Sequence, residues 1–167
     1  MISDQHHNQP PEKITLTLAD EEETTALGRK IAAVIQPGFV VYLRGNLGAG
    51  KTTLTRGLLR ELGFTGKVKS PTFTLVEVYT ISRLNLYHID LYRFTNPTEW
   101  RDSGFREYFD GESVCVVEWP ENAGGLLPPP DIEIVFEILE QSRRIDIFTR
   151  ENSVRQCLDS LEKLPPQ

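Results

Sequence analysis

The sequence predicts an α/β fold, and three observations carry that prediction. Strand-like and helix-like stretches alternate through the first half of the chain: ITLTL (14–18), a helical pattern, FVVYLR (39–44) and a second helical pattern ending at Gly63. FVVYLR is almost uninterrupted in apolar residues, as a central strand buried on both faces must be. The glycine-rich stretch GNLGAGKTT (45–53) then runs from that strand straight into the helix, the setting of a phosphate-binding turn.

ITLTL alternates apolar residues with threonines and reads as a strand. Asp20 fits an N-cap, and Glu23 completes a capping-box pattern. The helix behind it turns Leu27, Ile31, Val34 and Ile35 inward and stops at Pro37-Gly38. After the glycine-rich stretch a helix runs to Leu62, with Gly63 as its stop. Residues 64–72 carry Gly66, Lys67, Lys69 and Pro71 and form a loop. FTLVEVYT (73–80) and LNLYHIDLYRF (84–94) are strands so close in sequence that they pair as an antiparallel hairpin. Asn96-Pro97 opens a short helix, with proline at its first position, and a second short helix lies near 104–109. SVCVVEW (113–119) is an apolar run that carries an acid near its end. A loop with Gly124-Gly125 and three prolines follows. DIEIVFEIL and RRIDIFTR then alternate around a turn near Gln141-Ser142, a terminal hairpin. Val154, Cys157, Leu158 and Leu161 have the spacing of a closing helix. No repeat or composition shift divides the chain, so residues 13–164 form one domain behind a disordered tail, residues 1–12.

With 167 residues, 39 % hydrophobic and 25 % charged, the chain has the composition of a soluble globular domain. Eighteen basic against 24 acidic residues leave a net charge of −6, which argues against a direct nucleic-acid surface. Cys115 and Cys157 lie far apart, with neither a disulfide framework nor zinc spacing, which fits a reducing, cytoplasmic compartment. The start, MISDQHHNQPPE, is polar and unlike a signal peptide, and no apolar run reaches membrane-spanning length. His6 and His7 lack surrounding cysteines or carboxylates and read as tail rather than metal site.

GNLGAGKT satisfies G-x(4)-G-K-S/T, with Gly45, Gly50, Lys51 and Thr52 in the fixed places. Glycines let the backbone curl so that successive N–H groups converge on phosphate oxygens. Gly45, Asn46, Leu47, Gly48, Ala49 and Gly50 form the cradle, and Lys51, Thr52 and Thr53 continue it at the positive end of the helix. Lys51 brings a charge for the β- and γ-phosphates and is expected to face solvent without ligand. The Thr52 hydroxyl has the reach of a Mg²⁺ ligand. The competing reading, a glycine-rich turn beside a solvated lysine, is disfavoured by the strand before the loop and the helix after it.

Such a site also needs acids at strand ends, to organise the metal and handle the attacking group. In YHIDLYR (87–93) the alternation puts His88, Asp90 and Tyr92 on one face, with a carboxylate inside a run that looks buried. A buried charge needs a partner. Asp90 is assigned to the magnesium and γ-phosphate side of the cradle; the alternative is an ion pair with Arg93 or Arg101. Glu118, behind VCVV, is the second acid; the alternative is a solvated strand end. His88 reads as a hydrogen-bonded, half-buried histidine rather than a catalyst, and Tyr92 and Trp119 as packing aromatics. Ser70 and Thr72, in SPTFT (70–74), stand where nucleotide switches place a γ-phosphate-sensing hydroxyl, against the alternative of a proline-shaped turn.

GNLGAGKTT, KSPTFTLVE, YHIDLYR and VEWPE, in that order between Gly45 and Glu121, resemble the TsaE (YjeE) family, P-loop ATPases of bacterial tRNA threonylcarbamoyladenosine synthesis. The resemblance implies a single P-loop NTPase domain whose sheet mixes parallel and antiparallel strands, flanked by helices. It implies ATP and Mg²⁺ as cofactors and slow hydrolysis without partners. The implied partners are TsaB and TsaD, the latter transferring the threonylcarbamoyl group to tRNA, so that tRNA is met only through the complex and no membrane is involved. By resemblance Lys51, Asp90 and Glu118 are catalytic, and Thr52, Asp90 and Glu118 attend the metal. Ser70 and Thr72 match the switch-like loop, and Trp119 the tryptophan beside the second acid.

Two other functions compete. A small-molecule or nucleoside kinase would carry arginines in a closing lid. Arg143, Arg144 and Arg150 fall instead on the terminal hairpin, and no arginine is clearly placed over the γ-phosphate. A GTPase-like switch would carry an NKxD-type guanine reader, which the sequence lacks.

Overall fold

One sheet organises the chain. In this computed structural model, which describes residues 10–162, its strands are β1 (Glu12–Leu18), β2 (Val40–Arg44), β3 (Val76–Ile81), β4 (Leu84–Asp90), β5 (Val114–Glu118), β6 (Ile132–Ile138) and β7 (Arg143–Thr149). Their order is β1-β7-β6-β2-β5-β4-β3. β6, β2, β5 and β4 run parallel in the centre. The flanking pairs β3–β4, β6–β7 and β7–β1 are antiparallel. Both expected hairpins are therefore present, and the sheet is mixed.

The helices are α1 (Glu21–Ala32), α2 (Lys51–Leu62), α3 (Pro97–Ser103) and α4 (Asn152–Glu162). β2 shows why FVVYLR reads as continuous. Val41 and Leu43 join a core with Leu27 and Ile31 of α1 and Leu54 and Leu58 of α2. Val40 and Tyr42, on the other face, join Ile89, Cys115, Val117 and Trp100 of α3. Each fully buried Leu or Ile stabilises by roughly 1.5–3 kcal/mol, so both faces anchor β2. Cys115 is buried, and that burial pushes its thiol up to about 12. Among the described residues neither Cys115 nor Cys157 is joined in a disulfide. Among the described residues no helix is long and apolar enough to cross a membrane.

α1 starts as expected: Asp20 is extended at φ −157° and its Oδ1 accepts from the Glu23 N–H at 2.9 Å. Glu23 returns the bond one residue further back, accepting from the Ala19 N–H at 2.6 Å. The helix stops at Ala32 because residues 33–35 tighten into turns that donate three residues back, such as Val34 N to Ile31 O at 3.0 Å. α1 and α2 pack closely through two glycines. A Cβ at Gly28 would stand 2.2 Å from the Leu54 carbonyl oxygen, and one at Gly57 2.3 Å from that of Thr25.

Several boundaries differ from expectation. Residues 1–9 of the expected tail, with His6 and His7, lie outside the described residues, as do 163 and 164 and the Leu161 side chain. Glu12, expected in the tail, opens β1 opposite Thr149 and pairs with Arg155 at 2.6 Å. β3 begins at Val76, not 73, because Leu75 folds back to Pro71 O at 2.8 Å with its φ at +69°. β4 ends at Asp90, not 94, because the Asp90 carboxylate accepts from the Tyr92 N–H at 2.8 Å and turns the chain. The second short helix is a single 3₁₀ turn, Phe105–Tyr108.

Candidate functional site

The site lies where ligands collect in open α/β sheets, beyond the carboxyl ends of the parallel strands. β2 ends at Arg44 and passes into the glycine-rich loop. Next to it β5 ends at Glu118, and next to that β4 ends at Asp90, the two acids opposite one another in register. Gly50, at φ +111°, turns the chain into α2, whose first turn has neither a side-chain cap nor an acidic residue. Its N–H groups therefore stay available to an anion.

Lys51 does not face solvent as expected; it is 4 % exposed. Its Nζ donates to the Gly45 carbonyl at 2.6 Å, lies 3.5 Å from Glu118 Oε1 and 4.5 Å from the centre of the Trp119 ring. A lysine can be kept here only because a carbonyl, a carboxylate and an aromatic face replace its water. Trp119 takes the left-handed conformation, φ +57°, in which a bulky residue is strained. Its ring also meets Tyr92 at 5.1 Å. The two aromatics thus pack near the acids rather than in the cleft lining.

Glu118 is buried rather than a solvated strand end. Its Oε2 contacts His88 Nε2 at 2.6 Å. Burial pushes this carboxyl up, but the His88 hydrogen bond and the charges of His88 and Lys51 outweigh it, and the net direction is down. His88 is wholly buried, not half-buried, because β4 lies between β5 and β3 and its ring points to the Glu118 side.

Asp90 is 2 % exposed. Its oxygens meet the Tyr92 N–H and, at 3.4 Å, the Thr72 hydroxyl. No arginine pairs with it among the described residues; Arg93 lies over the Phe73 ring, 5.1 Å from its centre. Burial raises the Asp90 carboxyl, the Tyr92 N–H offsets this in part, and the neighbouring Glu118 charge adds to the rise. The 70–75 segment is tied to this acid: Ser70 and Thr72 hydroxyls share a bond at 2.7 Å, and the Asp90 N–H donates to Leu75 O at 2.8 Å.

These groups line one cleft of about 620 Å³. Leu47 to Thr53, Ser70, Thr72, Asp90 and Glu118 face it. Gly45 and Asn46 do not; they form the base of the loop, their carbonyls engaged by Lys51 and by the Ala49 N–H. The sequence reading missed two walls: Ala19, Asp20, Glu21 and Thr24 at the start of α1, and Gln141 and Ser142 of the β6–β7 turn with Arg143, the first residue of β7. Arg143 donates to Gly48 O at 3.4 Å, so one hairpin arginine does reach the cleft. The turn folds over the phosphate loop, which strand alternation alone does not reveal.

The residues fit a magnesium–nucleotide. Among the described residues no cluster of three His, Cys, Asp or Glu side chains could cage an ion by itself. Mg²⁺ characteristically takes one or two protein oxygens and completes its shell with water and phosphate. Thr52, Asp90 and Glu118 offer that limited set beside an anion-binding helix end.

Fold and loop together define the P-loop class of α/β proteins. A family model described as "Threonylcarbamoyl adenosine biosynthesis protein TsaE" matches residues 18–145. A Haemophilus influenzae protein named tRNA threonylcarbamoyladenosine biosynthesis protein TsaE is 42 % identical over 146 residues, covering 84 % of this chain and 92 % of that one. A Bacillus subtilis protein of the same name is 44 % identical over 128 residues, covering 77 % and 80 %. The crystal structure of Bacillus subtilis YdiB matches with a TM-score of 0.75 at 33 % identity, over 93 % of this chain and 98 % of that one. The chain belongs to the TsaE family.

Proposed function

We propose that this protein binds ATP with Mg²⁺ in the cleft and hydrolyses it, as the nucleotide-driven component of tRNA N6-threonylcarbamoyladenosine synthesis in the cytoplasm, acting with TsaD and TsaB. The observation that carries the chemistry is the register of Asp90 and Glu118, side by side at strand ends next to the phosphate loop. The pathway rests on the names of the relatives, and the partners on the family resemblance.

In this reading the amides of Leu47 to Thr53 bind the phosphates, and Lys51 exchanges the Gly45 carbonyl for phosphate oxygens. Thr52 and Asp90 hold the metal, and Glu118 orients the attacking water or shares the metal. Mg²⁺, when bound, neutralises developing charge on the phosphoryl oxygens. Ser70 and Thr72 sense the γ-phosphate through the Thr72–Asp90 contact. Arg143 adds a second cation over the loop, fixed at the first position of β7 rather than carried on a lid.

The test against a P-loop kinase is phosphate release without any added acceptor. Slow release of inorganic phosphate, sharply reduced in Glu118→Gln, supports the ATPase. Phosphate transfer only to an added small molecule would replace it with the kinase.

A further inference from the structure

We propose that His88 is a positioning residue: its Nε2–H holds one oxygen of Glu118 so that the other stays aimed at Lys51 and the cleft. This inference rests on the ATPase reading for the role of Glu118. His88 and Asp90 share one face of β4, two residues apart, while Glu118 stands opposite Asp90 on β5. His88 therefore reaches Glu118 diagonally from inside the sheet, at 2.6 Å, with no exposed surface of its own. The carboxylate is divided, Oε2 to His88 and Oε1 to Lys51 at 3.5 Å.

A residue serving only to fill the core at this place would be apolar. The His88 Nδ1 is buried without a hydrogen-bond partner. Burial of an unmatched polar atom destabilises, so the ring must be kept for what its other nitrogen does. Its contact has a geometric effect. Were Oε2 released, the carboxylate could rotate and close onto Lys51 with both oxygens, removing the acid from its place beside Asp90. Partners that orient a metal-site carboxylate commonly matter by about 10–100-fold in activity or metal affinity.

The experiment uses His88→Phe, which keeps a ring without a donor, and His88→Gln, whose amide restores one near the position of Nε2. Each is made alone and with Glu118→Gln. Phosphate release, fluorescent-ADP binding in Mg²⁺ and in EDTA, and a thermal melt are measured. His88→Phe should lower kcat by about 10–100-fold, more than it raises KM for ATP. It should also shrink the affinity gained from Mg²⁺, raising KM for ATP by no more than that shrinkage, while leaving binding in EDTA nearly unchanged. His88→Gln should recover most of both losses. In the Glu118→Gln background, His88→Phe should cost nothing further, because it acts only through that carboxylate. If the Phe variant does not fold, His88→Asn, too short to reach Oε2, takes its place against Gln. Multiplying losses in the double variant, or equal losses in Phe and Gln tracking a fall in Tm, would overturn the proposal. Absence of phosphate release from the unaltered protein would instead defeat the ATPase reading, and the Mg²⁺-linked ADP binding would still decide His88.

Discussion

Asp90 and Glu118 end neighbouring parallel strands, yet their carboxyls are pushed in opposite directions, Asp90 up and Glu118 down. A raised carboxyl penalises the folded state above its folded pKa, and the penalty fades as pH falls through that value towards 3.8. Asp90→Asn should therefore raise Tm at neutral pH without metal, with the gain shrinking on acidification. A lowered carboxyl stabilises above its ordinary value of 4.5, and that contribution is lost as pH falls through the folded pKa. Glu118→Gln should lower Tm at neutral pH, with the gap closing in acid. Both should cut kcat by ~10²-fold or more with less effect on nucleotide affinity. Melts across pH beside kinetics decide this, and an Asp90→Asn variant that only loses stability would mark a structural acid. Lys51→Ala should abolish tight ATP binding. Because Lys51 is buried against Glu118, it should also cost roughly 1–3 kcal/mol in the nucleotide-free melt. Unchanged ATP affinity would remove the phosphate cradle from the account. Asp90 was legible because a lone acid interrupts a period-2 pattern. The burial of Lys51 and the His88–Glu118 bond were not, since both depend on which strand lies next to which.

At the scale of elements, the α1–α2 contact couples stability to the cleft. Gly57 sits against the Thr25 backbone, one turn into the helix whose first residues wall the cleft. Gly57→Ala should force the helices apart, costing about 1–3 kcal/mol despite alanine's better helix propensity. Nucleotide affinity should fall with it, as seen by a melt and a titration on the same sample. A more stable variant with unaltered affinity would contradict the close packing. Helices were legible from capping and stop signals: Asp20, Gly63 and Asn96-Pro97 all act as read. Strand ends were less so, because Leu75 and Asp90 terminate pairing through local turns that an alternating pattern conceals. The β6–β7 turn was read as a simple hairpin tip, and its place over Gly48 follows only from the strand order.

For the whole molecule, the mixed sheet brings three strand ends, two helix starts and one distant hairpin to a single cleft. The family was legible because four motifs occur in order; the missed walls carry no motif. In the proposed function, ATP hydrolysis serves a partner assembly. A P-loop site awaiting charge or ordering in trans hydrolyses slowly, and partners can accelerate such sites by about 10³–10⁵. The partners must then bind the competent state more tightly than the resting one. The most direct measurement is phosphate release by this protein alone and with TsaB and TsaD together, with Glu118→Gln as control. Turnover should be low alone, rise clearly with both partners and show no rise in the Glu118→Gln variant. Equal rates with and without the pair would contradict it.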